Sequence, residues 1–241
     1  ETVIGAGRRN RLSFDEIAVT FFLAGTQPTL PVYVWGLLRF GFTPEVNAAF
    51  TLIAGLSTAQ LAALSAEQMQ GFETRDLAAF GTAQIIALST AQLDALETAQ
   101  LANLTTRQIA ALTTQQIASL QPDDLAALGT AQYAAMTTAQ LANLTTAQAA
   151  ALEGNDVAAL SLTQLRALTV DSVAALSGTA VAALTTSQVG GLTTAQMAAF
   201  TADQLAAMQT ADVAAIGLPQ LAAISPSLIT AFDTAQLGAF T

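Results

Sequence analysis

From Leu56 onward a large apolar residue stands at every eighth position, Leu56, Leu64, Phe72, Phe80, Leu88 and so on to Ile224, Phe232 and Phe240. The run holds 24 such positions without a miss and so defines 23 complete octads. A fixed internal period of this kind dictates how the rest of a chain is read. Taking the recurring residue as position 1, position 6 is Leu, Ile, Val, Met or Tyr in every octad except at Ala149. Position 5 is Gln or Asp in 20 of 23 octads, and position 2 is Ser, Thr, Asp or Gly in 18. Position 3 is mostly Thr, and position 8 is always Ala, Gly, Ser or Asn.

Three local structures could carry this spacing. In one continuous α-helix the apolar stripe would drift by about 80° per octad and bury nothing consistently. Gly154, Gly178, Pro219 and Pro226 also oppose an unbroken helix. In a β-solenoid positions 1 and 6, five apart, would face opposite sides of a strand, and Ala and Gln are poor strand residues. A short capped helix fits every position. Ser or Thr at position 2 with Gln at position 5 spells a capping box, and the apolar pair at positions 1 and 6 is the hydrophobic staple around it. Pro122 and Pro226 then fall at the first helical position, where proline is tolerated. Where position 2 is Glu or Gln, as at Glu73 and Gln209, the Thr at position 3 is an alternative cap.

The expected fold is therefore all-α: a solenoid of short capped helices of five or six residues over 56–241, preceded by a small apolar helical segment over 1–55. One octad buries only two large side chains, too few to order it alone. Neighbouring octads must stack, and the small position 8 permits their close approach. A coil of two octads, sixteen residues folded as a helical hairpin, is the natural expectation. The repeats show no odd–even alternation that would prove it, and handedness is open.

Composition narrows the chemistry. The 241 residues contain no Cys, no His and no Lys, and only 10% are charged. Thiolate and imidazole metal sites, Ser-His-Asp and Cys-His catalysis and disulfides are thereby excluded. The charge is uneven: residues 1–55 are neutral, whereas the octads carry the whole net charge of −10, with three Arg among them. Clustered cations for phosphate contacts are lacking, so no nucleic-acid partner is expected. The charge shift near Gly55 marks a boundary between an N-terminal segment, 1–55, and the repeats, 56–241.

Individual candidates for chemistry have plainer readings. Asp123 and Asp124 follow Pro122 as an apparent carboxylate pair, but both would lie in a first helical turn, where acids suit the helix dipole. Asp15–Glu16 is weighed the same way. The glycines of "GAG" at 5–7 are too few for a phosphate loop. The Thr-Thr pairs, such as Thr105–Thr106, Thr113–Thr114 and Thr193–Thr194, would form rows able to order water or ice, yet capping turns such hydroxyls toward the backbone. No catalytic, cofactor or metal residue is assigned, and no cofactor is expected.

The N-terminal stretch "SFDEIAVTFFLAGTQPTLPVYVWGLLRFGFTPEVNAAFTLI", Ser13 to Ile53, resembles the C-terminal part of polyamine-type ABC transporter permeases. "SFDEIAVTFFLAG", "TLPVYVWGLLRFG" and "TPEVNA" carry the resemblance, in order and at the family's spacing. It implies a membrane transport subunit with an ATPase partner. The apolar runs Ile17–Gly25 and Leu30–Leu38 are shorter than the roughly 20 residues a span needs, so membrane contact is expected only through residues 13–53. "ETVIGAGRRNRL" shows no small-residue cleavage site of an ordinary signal peptide. The octads themselves resemble Leu-Thr-Thr-Ala-Gln repeats of large bacterial surface or adhesion-type proteins. "LTTRQIAAL" is also similar, over one octad, to the first short helix of plant-pathogen DNA-reading repeats. The resulting expectation is a non-catalytic structural or interaction repeat protein, such as a scaffold, stalk or filament element. Its partner would be its own copies end to end, since 238–241 offer no polar cap, or another protein. The alternative is a permease fragment fused to repeats. A bacterial surface or secreted location is favoured only by the adhesin-type likeness.

Overall fold

The computed structural model describes residues 55–240. Among these the chain forms 22 short α-helices and one 3-10 turn, each of four to six residues, and no strand. One stack holds α1 (Thr58–Ala62), α4 (Thr82–Ala87), α7 (Thr106–Ala111), α10 (Thr130–Ala135), α13 (Gly154–Ala159), α16 (Gly178–Ala182), α19 (Ala202–Ala207) and the 3-10 turn Pro226–Ala231. A second holds α2 (Ala66–Gln70), α5 (Thr90–Asp94), α8 (Thr114–Ser119), α11 (Thr138–Ala142), α14 (Leu162–Ala167), α17 (Thr186–Gly191), α20 (Thr210–Val213) and α22 (Thr234–Gly238). The third holds α3 (Thr74–Ala78), α6 (Thr98–Ala102), α9 (Pro122–Ala126), α12 (Thr146–Ala150), α15 (Val170–Ala175), α18 (Thr194–Ala198) and α21 (Leu218–Ala223). The helical N-terminal segment and the permease-like residues 13–53 lie outside the described residues.

Where position 2 is Ser, Thr or Asp and position 5 is Gln, the octad starts its helix with the full capping box. In α7, Thr105 is the N-cap with extended backbone (φ −68°, ψ 156°), and its hydroxyl accepts the Gln108 amide at 3.3 Å. Gln108 Oε1 in return accepts the Thr105 amide at 2.8 Å. The N-cap stays at position 2 even where that residue is Glu73, Glu97, Gln121 or Gln209, which settles the alternative of a cap at position 3. Termination is equally local. The position 1 amide of the next octad bonds back to the position 6 carbonyl, as in Leu112 to Ile109 at 3.2 Å, which tightens the last turn. Positions 1 and 2 are then both extended, as at Leu112 (φ −55°, ψ 139°) and Thr113 (φ −70°, ψ 160°). Two successive extended residues turn the chain, so the corner needs no glycine and can hold a Leu.

The coil contains three octads, not two. Helices in closest contact are three apart along the chain, α7 on α4 and α10 on α7, and this holds through all three stacks. The two-octad hairpin is thus corrected to a 24-residue coil. The physical reason is enclosure. Position 6 side chains are fully buried from Leu61 to Val213, and the position 1 row is nearly so. A hairpin has two walls and leaves such a row open along its flanks, whereas three helices close around it.

Close approach between coils sits at position 8, as its small residues suggest. A Cβ built on Gly178, at position 3, would lie 3.4 Å from the Ala207 Cβ at position 8 one coil on. On Gly154 it would lie 2.8 Å from the Ala183 Cβ. Where position 3 is the larger Leu162, position 8 of the next coil is Gly191, and a Cβ there would collide with Leu162 Cδ1. The two substitutions therefore fit one another.

This register is directly testable in a chain without native cysteine. The pair Gly178→Cys/Ala207→Cys should oxidise to a disulfide, since bridged Cβ atoms sit about 3.8 Å apart. The pair Thr186→Cys/Ala207→Cys, which a two-octad coil would bring together, should stay reduced. Thiol titration and non-reducing gels distinguish the two, and the opposite pattern would restore the hairpin.

Candidate functional site

The most repeated polar feature of the molecule is internal. Apart from Tyr133, every buried polar side chain among the described residues is at position 5: sixteen octads carry Gln there and four carry Asp, with Glu in none. Gln108 shows the arrangement. Its Oε1 accepts the Thr105 amide and hydroxyl at 2.8 and 3.0 Å. Its Nε2 reaches across to the previous coil and donates to the Leu77 and Phe80 carbonyls at 2.7 and 2.8 Å. Those carbonyls belong to the end of α3 and the corner into α4: the Leu77 carbonyl also accepts the Phe80 amide at 3.1 Å, and the corner carbonyl of Phe80 lies beyond the helical ladder. One side chain therefore closes the start of its own helix and the end of another. Gln140, Gln148, Gln196 and Gln220 repeat the same pair of downward bonds at 2.6 to 2.9 Å.

The reach to the previous coil is the part that residue patterns alone missed. The capping box explained Oε1 and left Nε2 unassigned. The missing signal was the absence of Glu. A capping box accepts Glu as readily as Gln, and a carboxylate suits a helix N-terminus better. Its exclusion from position 5 reports a need for the amide donor.

Two of the four Asp octads keep the contact and reverse its polarity. Asp124 Oδ1 accepts from Thr98 Oγ1 of the coil below at 2.9 Å, and Asp212 Oδ1 accepts from Thr186 Oγ1 at 3.0 Å. All four Asp octads place Glu or Gln at position 2, so a shorter side chain at one position accompanies a longer one at the other. The long residue also bonds downward: Gln209 Nε2 donates to the Ala182 carbonyl at 2.8 Å and Gln121 Nε2 to Asp94 Oδ1 at 3.0 Å.

Asp156 is handled differently. By the Gln geometry it lies over the Leu125 and Leu128 carbonyls, and a carboxylate cannot donate to either. The buried Tyr133 hydroxyl donates to the Leu125 carbonyl at 2.6 Å instead. Burial pushes the Asp156 carboxyl up to about 6, and the neighbouring Glu153 charge adds to this against a hydrogen bond from the Glu153 amide. Burial, with the nearby Asp156 and Glu153 charges, also holds the Tyr133 phenol well above its usual range. Burial likewise raises the Asp76 carboxyl, countered by its bond from the Glu73 amide.

Among the described residues the other sequence candidates do not assemble into a reactive centre. Asp123 is exposed while Asp124 is buried against Thr98 of the coil below, so the apparent pair is split between solvent and the coil contact. The hydroxyls of Thr105 and Thr193 are engaged by their own Gln side chains. The "GAG" at 5–7 and Asp15–Glu16 fall outside the described residues. Among the described residues no cluster of His, Cys, Asp and Glu could hold a metal ion. No helix there is long and apolar enough to cross a membrane. The one ion-paired cation there is Arg75, 2.7 Å from Glu73, and Arg166 Nε donates to the Gly191 carbonyl.

These features define a class, an α-solenoid of very short helices whose coils are joined by side-chain amides. Comparison with protein families matches the chain to the ALTTAQ repeat over residues 69–106, 93–122, 117–154, 149–186 and 181–210. The matches together span more than half of the chain, and the protein belongs to the ALTTAQ repeat family. Each match opens at position 6 of an octad, at Met69, Leu93, Ile117, Ala149 and Val181, so the family repeat and the structural repeat keep one register. No curated protein and no solved structure compared with the chain matches it. Nothing in these comparisons supports the permease or adhesin-type resemblance.

Two substitutions test the chemistry of position 5. Gln108→Glu keeps the cap acceptor but aims a carboxylate at two carbonyls, and should lower stability by on the order of 3 kcal/mol at pH 7. Part of the loss should return near pH 4, where the protonated acid regains one donor. A loss below about 0.5 kcal/mol in urea unfolding would show that the cross-coil bonds matter little. Asp156 has a folded value near 6 against 3.8 ordinarily, so the folded state holds its proton longer. Its contribution is full below about pH 3.8 and is lost as pH rises through about 6. The wild-type chain should therefore lose stability across that interval relative to Asp156→Asn, and parallel pH profiles would contradict the burial of this carboxyl.

Proposed function

We propose that this chain is a non-catalytic repeat scaffold that works by presenting a regular outer surface and by associating through its coils. The observation that supports this reading is the allocation of the polar interior. Among the described residues each buried polar side chain except Tyr133 lies at position 5, and no buried side-chain polar atom is left without a partner. The interior chemistry is thus consumed in holding coils together, with no group aimed at a substrate. What remains for recognition is the outside of the stack, made of Ala, Thr and scattered acids.

The self-association part of the reading rests on exposed apolar side chains. Leu218, at position 3, is 82% exposed and Leu237, at position 6, 45%, and Ile86 and Val170 are also exposed. A second copy of the chain, with the same residues, offers them apolar contact.

Sedimentation velocity of the full chain over a wide concentration range tests this. Oligomers should grow with concentration, and Leu218→Asp with Leu237→Asp should shift the distribution toward monomer. A monomer at every concentration would overturn the self-associating role. Partition into membranes in a detergent-free fractionation would instead favour the transporter-fragment alternative.

A further inference from the structure

We propose that the stack contains a built-in seam at which it opens first, between the coil of α10, α11 and α12 and the coil of α13, α14 and α15. The four successive octads from Leu152 to Ala183 hold one Gln at position 5, Gln164, with Asp156, Ser172 and Ala180 in the other three. No other run of four octads is so poor in this residue. In the coil below, Gln132, Gln140 and Gln148 are all present and all bond downward.

The substitutes at the seam are weaker. Tyr133, of α10, covers the Leu125 carbonyl of α9, in the preceding octad, and so does not tie α13 to α10. Ser172 Oγ reaches the Leu144 carbonyl at 3.4 Å, long for a hydroxyl donor. Among the described residues no side-chain donor reaches the Leu128 or Leu141 carbonyls, two of the four that Gln at 156 and 172 would cover across this contact; Ala180, in α16, leaves the Ala149 and Leu152 carbonyls of the next contact in the same position. Gln164 alone spans the contact fully, with bonds to the Tyr133, Ala134 and Met136 carbonyls.

Local backbone preference adds to this. α13 and α16 each begin with a glycine, and α17 ends in Gly190–Gly191, all poor helix formers. In a linear array each coil is held mainly by its neighbours, so overall behaviour follows the weakest contact. Fraying or pulling would therefore divide the array at the seam into two blocks, each still joined by its own amide bonds. The seam is a hinge or release point, separate from the surface through which the scaffold associates.

Native-state hydrogen exchange of the full chain, read by mass spectrometry, tests the proposal. Amides at positions 5 and 6 of α13 to α16 should exchange about 10-fold or more faster than those of α7 to α12. Ser172→Gln should slow exchange there by a similar factor without changing α7 or α8. Tyr133→Phe, which keeps the ring and removes the donor, should speed exchange at the end of α9 and leave the seam amides of α14 and α15 unchanged. Even protection across all coils, or seam exchange unaltered in a folded Ser172→Gln chain, would overturn the seam.

Discussion

The fold depends on an amide that works in two directions at once. A helix of five or six residues leaves most of its terminal donors and acceptors outside its own hydrogen bonding. Such a helix is too short to stand by propagation. In this chain the position 5 glutamine accepts at the start of its own helix and donates to the end of a helix in the previous coil, as Gln108 does to Leu77 and Phe80. The bonds are buried, so water does not compete, and leaving those carbonyls bare would be costly. The apolar residues at positions 1 and 6 provide the driving force for stacking. The amide fixes which coil lies against which.

Departures from the repeat follow the same logic. Asp replaces Gln where a longer residue stands at position 2 and, for Asp124 and Asp212, where a Thr hydroxyl of the coil below turns donor. The Tyr133 hydroxyl covers a carbonyl that Asp156 cannot. Leu162 faces Gly191, so volume added in one coil is removed in the next. Each is an exchange of donor, acceptor or volume within a fixed frame, which is why the sequence can vary and the register does not.

Much of this frame is legible in the residues. The period of eight, the Ser/Thr-x-x-Gln box, the staple at positions 1 and 6 and the small position 8 all describe local geometry, and local geometry is what spacing encodes. The number of octads per coil was not legible, because it depends on how corners close in space and every octad looks alike. The 28- and 31-residue reach of Gln108 belongs to that hidden level. Only the absence of Glu at position 5 hinted at it. For the candidate site the outcome is similar: the split of Asp123 from Asp124 follows from first-turn placement, whereas the role of Tyr133 required knowing which carbonyl lay within its reach.

The most direct test of the cross-coil amide is a scalar coupling through the hydrogen bond itself. With Gln108 labelled at Nε2 and carbonyl carbons labelled in Leu and Phe, the nitrogen should couple to the carbonyl carbons of Leu77 and Phe80. Coupling instead to the carbonyl of Leu88 or Leu93, or a Gln108 side-chain amide that exchanges freely with water, would contradict the account.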